Sequence, residues 1–529
     1  MRADVRQAVV VIHGMGEQLP LSTLTGFIDT ALAPGEDGTR VYYSRPESVT
    51  GSYESRRFLA PRYPADRDQP EWHAQTDVFE YHWADKMQGN RLDDLWPTFR
   101  RILLQWPTRV PYGLKGLWVI AWALILWTVW AVLWGPFEGK VIGADNPLTE
   151  AITALVSGGL VAAALSYLFS RVLPRWLTSS FVDVVRYLDT SPRSYAVRRD
   201  IRKGLVEMVQ ALHDSTAPRY DRIVLVGHSL GAFIAYDGIA YLWGTMNAKT
   251  SRRTGEHELD GLLELEQAAS ALPDRPPVDD GLVDAYQDAQ RGLWSGIRRQ
   301  GNPWLITDFI SAGTPMYFAD QLLHGKGGRS FDARIERREL PTCPPQDEES
   351  DYNNIHRDRG VTRFYSWRKT WWTGRKGARK RSTYRVLYEG APFAVVRWTN
   401  LYFPVKWGLF GDWFGGSLGP LFGTGIKDVA VTGNTQGRPG TKPWRHRLMP
   451  AVAHSYYFRF PEDDAEDSVA TQIRQALGLA STSWLRPEAV AADDETDEAD
   501  EADEAVETEE ADETEDADEA EEADETVPF

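Results

Sequence analysis

The segment Gly227-His228-Ser229-Leu230-Gly231 places a serine between two glycines, directly after the apolar run Arg222-Ile223-Val224-Leu225-Val226. Ala232, Ile234 and Ala235 then begin a helical pattern. A serine hydroxyl is a weak nucleophile until a neighbouring base takes its proton. It must also stand clear of the backbone, on a sharp turn between a strand and a helix. Glycines on both sides are needed there because a side chain would clash in the turn. The five-residue pattern is weak alone. Framed by a strand and a helix, it assigns Ser229 as a nucleophile.

A nucleophilic serine needs a base and an acid that orients it. With a strand-borne serine of this kind, the chain order is Ser, then Asp or Glu, then His. Of the ten histidines, only His446 and His454 follow the last expected strands. Arg445 and Arg447 flank His446 and would disfavour the imidazolium that a base forms during turnover. His454 is therefore the expected base. Asp412, shortly before Gly415-Gly416, is the expected acid, with Asp428 the alternative and Asp320 a distant third. Each of these also reads as a loop-capping aspartate.

A second glycine loop follows the apolar run Ala8-Val9-Val10-Val11-Ile12: His13-Gly14-Met15-Gly16. With the serine motif, it resembles the α/β-hydrolase superfamily, specifically its lipase and esterase branch. The resemblance covers about residues 5–16, 222–238 and 305–315, with weaker matching over 394–457. It implies that the Met15 N–H joins that of Leu230 in an oxyanion hole, with Gly14 or Gly16 as substitutes for Met15. His13 is expected to shape this loop rather than act as base. The chain is also loosely similar to membrane-linked hydrolases related to the GPI inositol-deacylases.

The elements that must position these groups alternate between strand and helix. Residues 76–83, 222–226, 304–311 and 394–398 read as strands; 198–213, 258–271 and 283–298 read as helices. That alternation predicts an α/β fold with a doubly wound, mostly parallel sheet. Residues 44–75 show no clear period and are expected to be loop with partial structure. Residues 324–389 are polar and basic and read as an insertion.

Two uncharged segments interrupt the pattern: Gly116 to Phe137, of 22 residues, and Ala151 to Ser170, of 20. A bilayer core takes about 20 apolar residues per helix, so a transmembrane hairpin is expected over 111–175. Small residues Gly158, Gly159, Ala162, Ala163 and Ala164 would let its helices pack closely. Arg100, Arg101, Arg109 and Lys115 precede it, and Arg171, Arg175 and Arg186 follow. That bias places both flanks, and the catalytic body, in the cytoplasm. Membrane lipid is then an expected partner and a lipid-like ester an expected substrate. The expected layout is a hydrolase domain in two parts, 1–110 and 176–485, around the hairpin, with a tail from 486 to 529.

The net charge of −18 is misleading. Residues 493–525 hold 22 acidic side chains and no basic ones, so the rest of the chain carries +4. That tail has too little apolar surface to offset its ordering entropy and is expected to be disordered. The sole cysteine, Cys343, sits in a proline-rich loop with no neighbour to lower its pKa, which argues against a nucleophilic thiol. Arg368, Lys369, Arg375, Lys376, Arg379, Lys380, Arg381 and Arg385 interleave with Trp367, Trp371 and Trp372, a composition suited to anionic headgroups beside a membrane. No metal-ligand spacing, phosphate loop, dinucleotide fingerprint or nucleic-acid motif is present, so no metal, cofactor or nucleic-acid partner is expected. Two alternatives stay open. One is a non-catalytic membrane scaffold of the same fold; the other is an acyltransferase or thioesterase using the same triad.

Overall fold

The computed structural model describes residues 6–14, 21–31, 43–46, 49–50, 56–59, 75–87, 96–141, 175–188, 192–247, 259–323, 330–348, 350–373, 380–406, 410–431, 453–458 and 468–478. Ten strands are found there: β1 (Arg6–Ile12), β2 (Tyr43–Pro46), β3 (Arg56–Leu59), β4 (Gln75–Tyr81), β5 (Arg222–His228), β6 (Ile306–Ala312), β7 (Ser366–Thr373), β8 (Lys380–Leu387), β9 (Arg397–Tyr402) and β10 (Lys427–Ala430). The longer helices are α1 (Ser22–Ala31), α2 (Trp96–Leu103), α3 (Lys115–Val141), α4 (Arg175–Leu188), α5 (Pro192–His213), α6 (Leu230–Met246), α7 (Leu262–Ala271), α8 (Asp280–Arg299) and α9 (Val469–Leu477). Short helical pieces lie at Ala319–Leu322, Phe331–Glu336 and Gly419–Phe422.

Eight strands form one sheet in the order β10-β9-β6-β5-β1-β4-β3-β2. The six from β10 to β4 are parallel. Their centre is made of β-branched and apolar runs, the composition of strands buried on both faces. Alternate residues point to opposite faces of a strand, and two cores result. Val10, Ile12, Ile223 and Leu225 pack with Leu205 and Val209 of α5, Ile234 of α6 and Leu293 of α8. Val9, Val11, Val224 and Val226 pack with Leu24, Phe27 and Ile28 of α1 and with Val469 and Ile473 of α9. Each fully buried Val, Ile or Leu contributes about 1.5–3 kcal/mol relative to exposure, so helices on both faces are what these strands demand. The expected α/β class with a mostly parallel sheet is thus present.

Several details differ from the sequence reading. β2 and β3 fall in or beside the 44–75 stretch and extend the sheet as an antiparallel edge, β3 pairing with β4 through Phe58↔Val78. Short polar edge strands carry no apolar alternation to betray them. The late strand lies at Arg397–Tyr402 rather than 394–398. Pro392 starts a turn of 3-10 helix over Pro392–Ala394, and this takes up the apolar residues ahead of the strand. Within 324–389, β7 and β8 pair as a separate two-stranded sheet. The flanks of that region are buried in the main core through Leu340, Tyr365 and Leu387. His356 Nδ1–H donates to the buried Glu266 of α7 at 2.6 Å, and the Tyr365 N–H donates to the other Glu266 oxygen at 3.0 Å.

The first uncharged segment lies in α3, a helix of 27 residues whose side chains are described as far as Trp130. Among the described residues no helix is long and apolar enough to cross a membrane. The second segment, residues 151–170, and the acidic tail lie outside the described residues, so the expected hairpin is not established here.

Candidate functional site

β5 delivers Ser229 to the carboxyl end of the sheet, and α6 leaves from the next residue. Ser229 has φ 55° and ψ −121°, a left-handed conformation that a non-glycine residue adopts only when its surroundings dictate it. The surroundings are visible. A Cβ at Gly231 would collide with the carbonyl oxygens of Ile12 and His13, and one at Gly227 with the backbone of Ala232. At Gly14 a Cβ would lie 2.7 Å from His228 Nδ1 and 3.0 Å from Ser229 Cβ. The three glycines therefore let β1, β5 and α6 close around the serine. The Ser229 N–H is itself fixed to the Ala312 carbonyl at the end of β6, at 2.9 Å.

His454 Nε2 lies 2.9 Å from Ser229 Oγ. Its Nδ1 lies 3.1 Å from each carboxylate oxygen of Asp412. A carboxylate can only accept, so Nδ1 carries the proton and Nε2 presents its lone pair to the hydroxyl. Asp412 accepts two further hydrogen bonds, from the Phe414 N–H at 2.8 Å and the Tyr457 hydroxyl at 2.8 Å. Tyr457 in turn accepts from the Phe403 N–H at 3.0 Å. Gly313 and Gly415 make room for this arrangement: a Cβ on either would press on Asp412 Oδ2 and on Tyr457. Ser229 and Asp412 are fully buried and His454 is 4% exposed. In so dry a setting each charge-assisted hydrogen bond is strong.

The structure brings Ser229, His454 and Asp412 together. It does not bring Asp428 to them. Asp428 accepts from Ser417 Oγ at 2.6 Å, Gly419 N at 2.8 Å, Leu418 N at 2.9 Å and Asn400 Nδ2 at 2.6 Å, which ties the 416–419 turn to β9 and β10. Asp320 bonds Gln321 instead. Leu230 opens α6, where the first backbone N–H groups lack an intrahelical acceptor and carry the positive end of the helix dipole. Met15 and His446 lie outside the described residues. Burial pushes the Cys343 thiol far above the ordinary range. Among the described residues no group of three or more His, Cys, Asp or Glu side chains could hold a metal ion.

Tyr457, His228 and Gly313 were given no role from the sequence, and Gly415 entered only as half of the glycine pair that marked Asp412. Tyr457 stands three residues after His454, but nothing in triad chemistry asks for a tyrosine there. His228 Nε2–H donates to the His454 carbonyl at 3.0 Å and so fixes the loop that carries His454. His13 is held as a loop residue. Its Nδ1–H donates to the Gly14 carbonyl at 2.9 Å, its Nε2 accepts the Trp83 N–H at 3.1 Å, and its ring stacks on Trp83.

Burial pushes His13 and His228 down to about 3. Both fold neutral, and the unfolded chain binds their protons at the ordinary 6.5. The stability they confer is therefore full above pH 6.5 and is lost as pH falls towards 3, at about 1.4 kcal/mol per pH unit for each. Glu80, raised by burial to about 7, acts in the opposite sense between 4.5 and 7. The His228 contribution is therefore read by difference. Glutamine at 228 keeps a donor for the His454 carbonyl and cannot titrate. In urea unfolding from pH 4 to 6, His228→Gln is expected to flatten the pH dependence by one proton. An unchanged slope would contradict the assignment.

The Asp412 loop is also joined to the apolar helix. Trp413 and Phe414 form a cluster with Val110, Leu114 and Phe318, and Leu117 and Trp118 of α3 pack against it. The Phe414 ring meets His454 edge-on at 5.2 Å. Tyr317 donates to the Trp413 carbonyl at 2.7 Å. Trp118 and Trp122 both donate to the Leu103 carbonyl of α2. Beyond this root α3 turns apolar side chains outward: Val119, Ile125, Leu126, Trp127, Val129 and Trp130 are all exposed, Leu126 at 61%.

No protein-family model, curated protein or solved structure matches the chain. The fold and site define an α/β protein whose parallel sheet presents a buried Ser–His–Asp hydrogen-bond chain at the carboxyl ends of its strands.

Proposed function

We propose that this chain is a membrane-anchored serine hydrolase of the α/β-hydrolase type, cleaving carboxylic esters of lipid-like or acylated substrates. The observation that carries the reading is the continuous chain Ser229 Oγ–His454 Nε2 (2.9 Å) and His454 Nδ1–Asp412 (3.1 Å), in the order Ser, Asp, His. Ser229 Oγ attacks the ester carbonyl while His454 Nε2 takes its proton. Asp412 holds the imidazole in the required tautomer and stabilises the imidazolium. The resemblance assigns the developing oxyanion to the N–H groups of Leu230, at the positive end of α6, and Met15. The tetrahedral intermediate collapses as His454 protonates the leaving alcohol. Water, activated by the same histidine, then releases the acid from the acyl-enzyme.

Support for a lipid-like substrate is positional. The aromatic pair after Asp412 packs on the root of α3, whose outward face is apolar as far as Trp130. Large exposed apolar surfaces mark membrane or partner contacts. With 151–170 as a second helix, both basic flanks would lie in the cytoplasm. The basic, tryptophan-bearing β7–β8 strands would meet anionic headgroups. A hydrogen-bonded triad weighs against a non-catalytic scaffold. An acyltransferase or thioesterase would share the triad, and profiling of acyl acceptors separates these.

The test is labelling of the full chain in membranes with a fluorophosphonate probe, wild type beside Ser229→Ala. Labelling of wild type alone is expected. Equal labelling of both, or none of folded wild type in bilayers or detergent, would remove the reading.

A further inference from the structure

The plane of an aspartate carboxylate is not set by its own torsions, because the last of them is broad. Other groups must turn the Asp412 carboxylate towards His454. Each of its oxygens takes one donor, and the two donors come from different segments. Oδ1 accepts the Phe414 N–H at 2.8 Å, and Oδ2 accepts the Tyr457 hydroxyl at 2.8 Å. His454 Nδ1 lies 3.1 Å from both oxygens. The Phe414 bond is local, a turn of the Asp412 loop on itself. The Tyr457 bond comes from the short segment that carries His454, so one segment holds both the imidazole and the carboxylate that faces it.

The Tyr457 hydroxyl is itself fixed. It accepts the N–H of Phe403, the residue after β9, at 3.0 Å. Its ring is buried and packs on Phe403 at 4.6 Å and on His228 at 5.7 Å. Burial, and next the charge of Asp412, push the hydroxyl pKa well upward, so it stays a donor. Two glycines leave the room it needs. A Cβ at Gly415 would lie 2.6 Å from Asp412 Oδ2 and 2.8 Å from the Tyr457 hydroxyl, and one at Gly313 would strike the Tyr457 ring. Hydrogen bonds to a charged group are the stronger kind. The ring packing would seat a phenylalanine equally; what the hydroxyl adds is the link from the end of β9 to the carboxylate.

We propose that Tyr457 is a positioning residue of the triad, its hydroxyl holding the Asp412 carboxylate against His454 Nδ1. It acts through Asp412, and its part in turnover rests on the hydrolase reading. The test is Tyr457→Phe in the full chain. The Phe403 N–H loses its acceptor there and some stability goes with it, so kcat is counted per active site titrated with fluorophosphonate. It is expected to fall about 10- to 100-fold, as when a reacting group is misplaced, with KM unchanged. In an Asp412→Ala background the same change is expected to cost no more than about twofold, because residues that share one hydrogen-bond network are not additive. An equal loss in both backgrounds, or an unchanged kcat in Tyr457→Phe, would overturn the role. A second readout needs no turnover. The His454 Nδ1 proton, held by Asp412, is expected to give a downfield proton resonance that is lost in His454→Gln and broadened by faster exchange in Tyr457→Phe. An unchanged resonance would refute the positioning whatever the rates. Absence of Ser229-dependent labelling in wild type would remove the hydrolase reading instead, and the resonance would then decide the Tyr457 contact by itself.

Discussion

Alanine at Ser229 or at His454 is expected to lower ester turnover about 10⁶-fold, and the double variant no further. The two side chains act as one unit. In the proposed reaction the Oγ–Nε2 contact of 2.9 Å is the path of the proton that makes the hydroxyl a nucleophile. Without the imidazole, the hydroxyl attacks at its own low reactivity; without the hydroxyl, the imidazole has no proton to take. Residual rate would come from substrate binding and from the backbone donors at the start of α6. The measurement is kcat on esters of graded acyl length, with circular dichroism and melting temperature confirming the fold. Additive losses, or a single variant within tenfold of wild type, would detach these residues from the reaction. A loss confined to KM would mean that they only bind.

Why these two residues were legible in the sequence, and their supporting residues were not, follows from the range of the interactions. The turn at Ser229 is a local event. Its requirements, an apolar strand before, glycines at 227 and 231 and a helix after, are all written within a dozen residues. β1, β5 and β6 were legible for the same reason: strands buried on both faces need unbroken apolar runs. His454 and Asp412 were placed by chain order and by weak local cues, the arginines beside His446 and the Gly415-Gly416 pair that favoured Asp412 over Asp428, and neither cue reports what the fold gathers around the carboxylate. That distinction lies in which donors the fold brings to each carboxylate. Tyr457 reaches Asp412 across 45 residues, and Gly313 is needed because a Cβ there would strike Tyr457, 144 positions later. β2 and β3 pair by backbone hydrogen bonds at a sheet edge, where side chains carry no required pattern. Arg222, Arg397 and Asp308 are likewise far apart in sequence and meet only when parallel pairing aligns β5, β6 and β9.

The two aspartates make the sharpest contrast. Asp412→Asn is expected to lower kcat about 10⁴-fold, the size of effect seen when a triad acid becomes an amide in a serine protease, and also to cost about 1.5–3 kcal/mol of stability for the charge-assisted bond left unmade. Asparagine can still accept from Phe414 N or Tyr457 through its oxygen. Its NH₂, turned to His454, would demand a lone pair on Nδ1. The ring proton would then sit on Nε2, facing Ser229, where it cannot receive the hydroxyl proton. Asp428→Asn is expected to cost stability alone. Each of the four groups around that carboxylate donates to it: the Ser417 hydroxyl, the Leu418 and Gly419 N–H groups and the Asn400 amide. An NH₂ introduced among donors leaves at least one charge-assisted bond unmade, worth about 1.5–3 kcal/mol, and one donor unsatisfied. Stability should therefore fall by about 2–4 kcal/mol, with kcat per folded molecule within tenfold of wild type. Urea midpoints and active-site-titrated kcat values separate the two outcomes. If Asp428→Asn silences a stable enzyme while Asp412→Asn turns over normally, the hydrogen bonds to His454 do not identify the acid, and the triad must be assigned anew.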